Sequence, residues 1–279
     1  MDDYFLNQII WLASYPKSGN TWVRFLLTNL LQGKPDTAAD VEDRIPDIHV
    51  CLADSNSPNL EAIYKWDPSL LKSHLAFSPK MPLFENTIGF IYIVRNPLDV
   101  IISNLNYVFL LAYGQLKTQL QQEQIQQFSS EYINRFIHLK GDERWVKLGM
   151  GTWESHVESW LDNDYGFPHL IVKYEDLLAE PMQEVRRIST FLQLDVSDEK
   201  LQETIANSSF SAVKKVEDRT IERKELGMFY QPTYEAAHNS GIRFMSKGKR
   251  GEGKRQLSAE QVERAKAAFF PLLKRFNYL

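Results

Sequence analysis

The chain has a single cysteine, Cys51, among 279 residues. A lone thiol excludes an internal disulfide and a multi-thiolate metal site, and the simplest setting for such a chain is the cytoplasm. Apolar runs of membrane-spanning length are also missing: Ile9-Ile10-Trp11-Leu12 is far too short for a span or a secretory signal core, and the start, Met1 to Tyr4, is acidic. Positive charge is not in excess. With 32 Lys and Arg against 36 Asp and Glu the formal net charge is -4, which argues against a general nucleic-acid coat or anionic-membrane binder and makes any anion site local. There is no H-x-x-x-H pattern or Cys cluster to hold a metal, and no internal repeat. What the chain does have is core material, since 43% hydrophobic and 12% aromatic residues exclude disorder throughout, and the length fits one large α/β domain over 1–279 or two small ones.

The most informative stretch runs from Trp11 to Trp22. An apolar segment stops at Pro16, passes a Lys-Ser-Gly turn and enters an apolar helical pattern. Strand, tight glycine-containing turn and helix N-terminus together point several backbone N–H groups at one spot, where the helix dipole also favours an anion. Lys17, Ser18, Asn20 and Thr21 add a cation and polar side chains to that cradle. The nucleoside-triphosphate loop G-x-x-x-x-G-K-[ST] needs its lysine after the second glycine, whereas Lys17 precedes Gly19. The order argues for a phosphate loop of another kind.

Further strands are expected at Leu70–His74, Ile88–Val94 and Leu170–Tyr174; the second is a continuous β-branched run suited to burial on both faces of a parallel sheet. Amphipathic helices are expected over Thr21–Leu31, from Pro97 through Val108, over Trp145–Leu161, over Pro181–Leu194, and from the capping box at Ser258 to about Phe276. Strands alternating with helices predict a central parallel sheet flanked by helices, with ligands outside the carboxyl ends of the strands. Lys17, His74, Arg95 and Tyr174 all lie at or just past such ends. Mobile loops are expected at 35–68, 109–145 and 217–255.

Taken together, Tyr15-Pro16-Lys17-Ser18-Gly19-Asn20-Thr21-Trp22 resembles the 5′-phosphosulfate loop of soluble sulfotransferases, which use 3′-phosphoadenosine 5′-phosphosulfate as donor and have a P-loop-like fold. Tyr92 to Ser103 is similar to their 3′-phosphate element, with Arg95 and Ser103 as the binding residues. Lys72-Ser73-His74 matches their Lys-x-His segment, whose histidine is the catalytic base. Trp153 to Trp160 follows the pattern W-x-x-H-V-x-x-W, Tyr174-Glu175-Asp176-Leu177 follows a strand, and Ser208-Ser209-Phe210 matches a segment near the adenine. The matches run from Trp11 to about Gly248 in the family's order. The resemblance implies that Lys17, Ser18, Gly19, Asn20, Thr21 and Trp22 cradle the 5′ side, and that Tyr174, Ser208 and Phe210 lie near the adenine. It implies further that His74, Lys17, Lys72 and Ser103 serve catalysis, Ser103 by restraining Lys17, that the nucleotide product is adenosine 3′,5′-bisphosphate, and that no metal is required.

The chemistry is intelligible without the family. Transfer of a sulfuryl group to a small-molecule hydroxyl needs a base on the acceptor and cations on the departing phosphate, and a neutral imidazole at His74 with ammonium groups at Lys17 and Lys72 would supply both. Several positions carry a second reading. Tyr174 also reads as a core tyrosine, His156 as a core histidine, and the basic run from Gly248 to Lys254 as a solvated loop. Two departures stand out: the family's late Arg-Lys-Gly is here Ser246-Lys247-Gly248, leaving the 3′-phosphate to Lys247 and Gly248 with Lys249 or Arg250 as substitutes, and Asn20 replaces a common threonine, as in bacterial natural-product enzymes. The dimerisation motif is degenerate at Lys254, Ser258, Ala259 and Glu263, which leaves monomer and weak dimer open. Aromatic residues Phe109, Tyr113, Phe229, Tyr230 and Tyr234 serve either an apolar acceptor surface or the core. A nucleotide-kinase-like phosphotransferase is the alternative, and a donor-binding protein without catalysis the third reading.

Overall fold

The computed structural model describes residues 8–54, 58–119 and 121–279. The acidic start, Met1 to Tyr4, and part of the expected loop at 35–68 lie outside them. In chain order the elements are β1 (Ile9–Ser14), α1 (Asn20–Gln32), α2 (Ala38–Arg44), α3 (Ile48–Cys51), α4 (Leu60–Tyr64), β2 (Ser69–Ser73), β3 (Thr87–Val94), α5 (Pro97–Gln119), α6 (Gln122–Leu139), α7 (Glu143–Lys147) and α8 (Trp153–Leu161). They continue as β4 (His169–Lys173), α9 (Tyr174–Ala179), α10 (Pro181–Phe191), α11 (Asp198–Asn207), α12 (Phe210–Glu222), α13 (Glu235–Asn239), α14 (Glu252–Gln256), α15 (Ala259–Ala268) and α16 (Phe270–Arg275). The fold is α/β. The chain divides into two compact units, residues 1–94 with 156–213, and residues 95–155 with 214–279.

The first unit holds the sheet, four parallel strands in the order β2-β1-β3-β4. Leu12 pairs with Lys72 and Ile91, and Ala13 with Ser73 and Tyr92, so the carboxyl ends of β1, β2 and β3 finish level. β1 lies between strands that follow it on opposite sides, the arrangement that leaves a crevice at the carboxyl ends in open α/β sheets. Side-chain alternation gives each strand two apolar faces. Ile10, Leu12, Leu70, Ile91, Ile93 and Val172 pack on one face with Val23, Leu26 and Leu30 of α1 and with Leu177, Val185, Ile188 and Leu201 of α9 to α11. On the other face Trp11, Phe90 and Tyr92 are fully or almost fully buried, and the Phe90 and Trp160 rings meet edge to face at 5.1 Å.

In the second unit Asp99, on the first turn of α5, accepts the backbone N–H groups of Gly251 (2.8 Å) and Gly253 (2.7 Å). That carboxylate is 2% exposed, and it holds the basic run against the start of α5. Glu217 of α12 likewise accepts N–H bonds from Phe244 (2.6 Å) and Met245 (3.1 Å), and burial pushes its carboxyl up to about 7. Leu110, Tyr234 and Ala237 form a small core joined by Tyr107, Tyr113, Ile242 and Phe244. Phe229 and Tyr230 are buried as well, so these aromatic residues pack the interior.

The segments expected as loops contain helices. In 35–68, Thr37, Asp47 and Asn59 each cap a short helix through a side-chain oxygen. In 109–145 the helix begun at Pro97 continues to Gln119, and a second amphipathic helix follows at once. The late helix expected to run unbroken to Phe276 is two, parted at Phe269, with Ser258 and Gln261 forming the expected capping box. That cap occupies the Ser258 hydroxyl of the degenerate dimerisation motif.

A Cβ at Gly253 would lie 2.5 Å from the backbone carbon and oxygen of Leu98. Gly253→Ala should therefore lower stability by about 1–3 kcal/mol, the usual cost of overpacking, in urea unfolding. An unchanged midpoint would mean that α14 does not sit on α5 in solution.

Candidate active site

The turn after β1 is built by backbone constraint. Ser18 N–H closes on the Tyr15 carbonyl at 3.2 Å, Lys17 adopts φ 71°, and Gly19 adopts φ 105° as N-cap of α1. Gly19 contributes no capping side chain, so the first N–H groups of α1 remain available to an anion. The Tyr174 ring lies over this turn, where a Cβ on Gly19 would come within 2.5 Å of it, and it meets the Trp22 ring edge-on at 5.5 Å. Ser18 is 1% exposed, and its hydroxyl has no hydrogen-bond partner among the described residues. A buried hydroxyl without a partner is costly unless a ligand meets it, and a cradle that a Cβ would fill leaves room for a phosphate approaching the backbone; the loop fits the donor's anionic end.

Two residues of the expected cradle, and Ser208 of the expected adenine side, have their side chains engaged within the protein. The Asn20 amide points back into β1, donating to the Leu12 carbonyl (3.1 Å) and the Ser14 hydroxyl (3.3 Å), so its side chain braces the strand end. Trp22 donates its indole N–H to the Ser208 carbonyl at 2.7 Å. Ser208 is buried, its hydroxyl donating to the Phe25 carbonyl (3.3 Å) and accepting from the Asn29 amide (3.4 Å). These two contacts join α1 to the segment ahead of α12, where Phe210 opens the helix half-buried. Tyr174, expected to end a strand, instead begins α9.

His74 follows β2 directly. Its Nδ1 is 2.6 Å from the Ser14 carbonyl oxygen, and the Ser14 hydroxyl is 3.4 Å away. A carbonyl only accepts, so Nδ1 carries the proton and Nε2 of the neutral ring keeps its lone pair. Burial, aided by the nearby Lys72 ammonium, pushes the His74 pKa well below the ordinary histidine value. Lys72 is itself buried and donates to the Asp47 carboxylate at 2.5 Å. Burial pushes the Lys72 ammonium down, and Asp47 offsets part of that effect; the Asp47 carboxyl, which burial alone would raise, is held below its usual range by Lys72. His49 stands beside the same pair, and burial lowers its pKa.

Behind His74 lies a buried network. His156 is 0% exposed; its Nε2 is 3.1 Å from the His74 carbonyl and its Nδ1 is 2.8 Å from the Tyr92 hydroxyl. Burial drives the His156 pKa down to about 3.

In the second unit, Arg95 is 8% exposed and donates to the Lys249 carbonyl at 3.3 Å. Ser103 is half-buried on α5, two turns from its start. Lys247 is paired with Glu252 at 2.8 Å, a carboxylate that also takes Arg255 and Gln256, while Lys249 and Arg250 are exposed. Gly248 has φ 60°. The roles of Asp47, Glu252 and Tyr92 are not legible in the sequence because each is an ordinary residue until the fold brings its counterpart near. For His156 the W-x-x-H-V-x-x-W spacing was a usable signal. No cluster of three or more metal-ligating side chains occurs among the described residues, and no described helix is long and apolar enough to cross a membrane.

Comparison with known proteins adds family evidence. Residues 7–277 match the family described as sulfotransferase domain. Sulfotransferase 1B1 of the dog, Canis lupus familiaris, is 29% identical over 264 residues, covering 91% of this chain and 79% of the dog protein. The amine sulfotransferase of the rabbit, Oryctolagus cuniculus, is 26% identical over 285 residues, covering 99% and 84%. Among solved structures, retinol dehydratase in complex with androsterone and the inactive cofactor PAP superposes with a TM-score of 0.68 at 19% identity, covering 95% of this chain and 80% of that one. Mouse sulfotransferase SULT7A1 complexed with PAP gives 0.61 at 18% identity, covering 96% and 86%.

The neutral, buried His156 makes stability depend on pH. Its folded pKa of about 3 lies below the unfolded value near ~6.5, so between those values the unfolded chain takes up a proton that the native state refuses. Its effect on stability is absent above ~6.5 and grows as pH falls. Between about pH 7 and about pH 5 the wild type should lose about 2 kcal/mol more in urea unfolding than His156→Gln, whose side chain does not titrate. Equal slopes for the two proteins would refute a neutral buried His156.

Proposed function

The chain belongs to the sulfotransferase family, and from that premise we propose that it transfers a sulfuryl group from 3′-phosphoadenosine 5′-phosphosulfate to the hydroxyl of a small-molecule acceptor, an alcohol or phenol. The observation that carries the base assignment is the 2.6 Å contact of His74 Nδ1 with the Ser14 carbonyl, which leaves Nε2 unprotonated and aimed away from β1. When bound, the donor supplies a sulfur electrophile joined to a phosphate leaving group. His74 Nε2 takes the acceptor proton as the acceptor oxygen bonds to sulfur; the bond from sulfur to the phosphate oxygen breaks, and the charge left on that phosphate falls to the cradle residues.

The cradle binds through the backbone N–H groups that open α1, the Ser18 hydroxyl and the Lys17 ammonium. Thr21 adds its hydroxyl on the first turn. Asn20 and Trp22 shape the cradle from behind, since their side chains are bonded within the protein. Lys72 acts through its field, because its ammonium already rests on Asp47. Arg95, Ser103, Lys247 and Gly248 are assigned the donor's 3′-phosphate, and Tyr174, Ser208 and Phe210 its adenine, Ser208 through its place in the backbone, as its hydroxyl is engaged. PAP in the neighbouring structures supports the donor, and androsterone in one of them supports an apolar small-molecule acceptor. We place the reaction in the cytoplasm, in keeping with one cysteine. Family membership removes the ground for the phosphotransferase alternative.

His74→Ala should bind adenosine 3′,5′-bisphosphate with wild-type affinity in calorimetry yet lose ~10²–10⁴ in kcat. Undiminished turnover in that variant would overturn the base assignment. Gly19→Ala should lose nucleotide binding, because its Cβ would collide with Tyr174 and its φ disfavours any side chain. In the wild type the acid limb of the rate profile should fall below the ordinary histidine value near ~6.5, since burial and Lys72 both resist protonation of His74. An acid limb at or above that value would count against His74.

A further inference from the structure

One face of α8 is hydrogen-bonded to the backbone of the segment after β2 at three points. His156 Nε2 meets the His74 carbonyl at 3.1 Å, Trp160 Nε1 donates to the Leu75 carbonyl at 2.9 Å, and Phe77 N–H donates to the Ser159 hydroxyl at 3.0 Å. The segment that carries His74 is thus splinted along its length rather than hanging as a loop.

His156 is the most constrained of these contacts. Its partner on one side is a carbonyl, so Nε2 holds the proton; Nδ1 is then an acceptor and takes the Tyr92 hydroxyl at 2.8 Å. Tyr92 is fully buried in β3, and its oxygen is also hydrogen-bonded by the backbone of Tyr15. A continuous path therefore runs from the turn after β1 through the Tyr92 hydroxyl and the His156 ring to the carbonyl of His74. From its other side the His74 ring is tied to the Ser14 carbonyl. His156 and Tyr92 are both 0% exposed, so neither touches an acceptor.

We propose that His156 and Tyr92 are positioning residues: they lock the His74–Leu75 peptide so that the His74 ring stays on the Ser14 carbonyl in the Nδ1–H tautomer, with Nε2 aimed at the acceptor. This rests on the reading of His74 as base. A displacement of about 1 Å at a reacting group costs on the order of 10²-fold in rate, which sets the scale. A purely apolar core at this place would pack as well without any polar partner; the two nitrogens of His156 are instead both satisfied by groups that bear on His74.

The test uses the full-length protein with 4-nitrophenol as probe acceptor, and nitrogen-15 histidine spectra as a readout that needs no acceptor. In His156→Phe and in Tyr92→Phe, kcat should fall roughly 10- to 100-fold while affinity for adenosine 3′,5′-bisphosphate stays within about twofold. The His74 ring signals should shift from a single Nδ1–H tautomer in the wild type to a mixture. His156→Gln, which keeps an N–H for the His74 carbonyl and a carbonyl for the Tyr92 hydroxyl, should recover most of the rate. Tyr92→Phe removes one oxygen and keeps the ring, so it carries the test if His156→Phe fails to fold. Wild-type kcat and an unchanged His74 tautomer in both Phe variants would overturn the positioning role. If those variants are silent while His74→Ala is inactive, only this inference falls; if His74→Ala turns over normally, the base assignment falls instead.

Discussion

The carboxyl end of β1 is the constraint on which the first unit's chemistry depends. Because β1 is hydrogen-bonded on both edges, by β2 and by β3, its last residues are fixed to within the tolerance of a sheet ladder. From that fixed end the Ser14 carbonyl sets the tautomer of His74, the Leu12 carbonyl and Ser14 hydroxyl hold Asn20, and the backbone of Tyr15 holds Tyr92. The proposed base and the proposed anion cradle therefore share one rigid origin. Side chains carried by mobile loops could not keep such a geometry without an ordering cost at each turnover.

Electrostatics around this origin separate two roles. The proposed role of His74 as base needs a neutral ring, and burial beside an ammonium favours that form. That ammonium, Lys72, is buried deeply enough to be expensive alone, and Asp47 offsets the expense at 2.5 Å. The pair adds little net charge, yet the Lys72 ammonium is felt at His74, where it lowers the pKa. A buried ion pair is weak evidence for stability, but here its ammonium also disfavours protonation of His74.

Much of the fold was legible in the amino-acid order. All four strands and the helix opening at Asn20 follow from apolar runs, their β-branched content and the turn residues between them, because those signals are local. The helices inside the segments expected as mobile loops are hard to read for an equally local reason. Short helices such as α2 and α3 are set by side-chain caps, at Thr37 and Asp47, and seven and four residues are too few to show a period. Among the candidate site residues, Gly19 and His74 stood where their neighbours predicted. Asn20 and Ser208 also stood in place, but with their side chains engaged by the protein itself.

The order of residues by itself determined the strand and turn on which the proposed cradle rests, the placement of His74 directly after a strand, and the family to which the whole pattern belongs. These depend on spacing along one stretch of chain, which sequence records. Only the tertiary structure decided that Lys72 is paired with Asp47, that Lys247 is paired with Glu252, and that Tyr92 reaches the His74 carbonyl through His156. Except for Lys247 and Glu252, which are five residues apart, those partners are separated by 25 to 82 residues. The hydrogen bonds that assign their protons exist only between groups brought together by packing, and no local propensity encodes them.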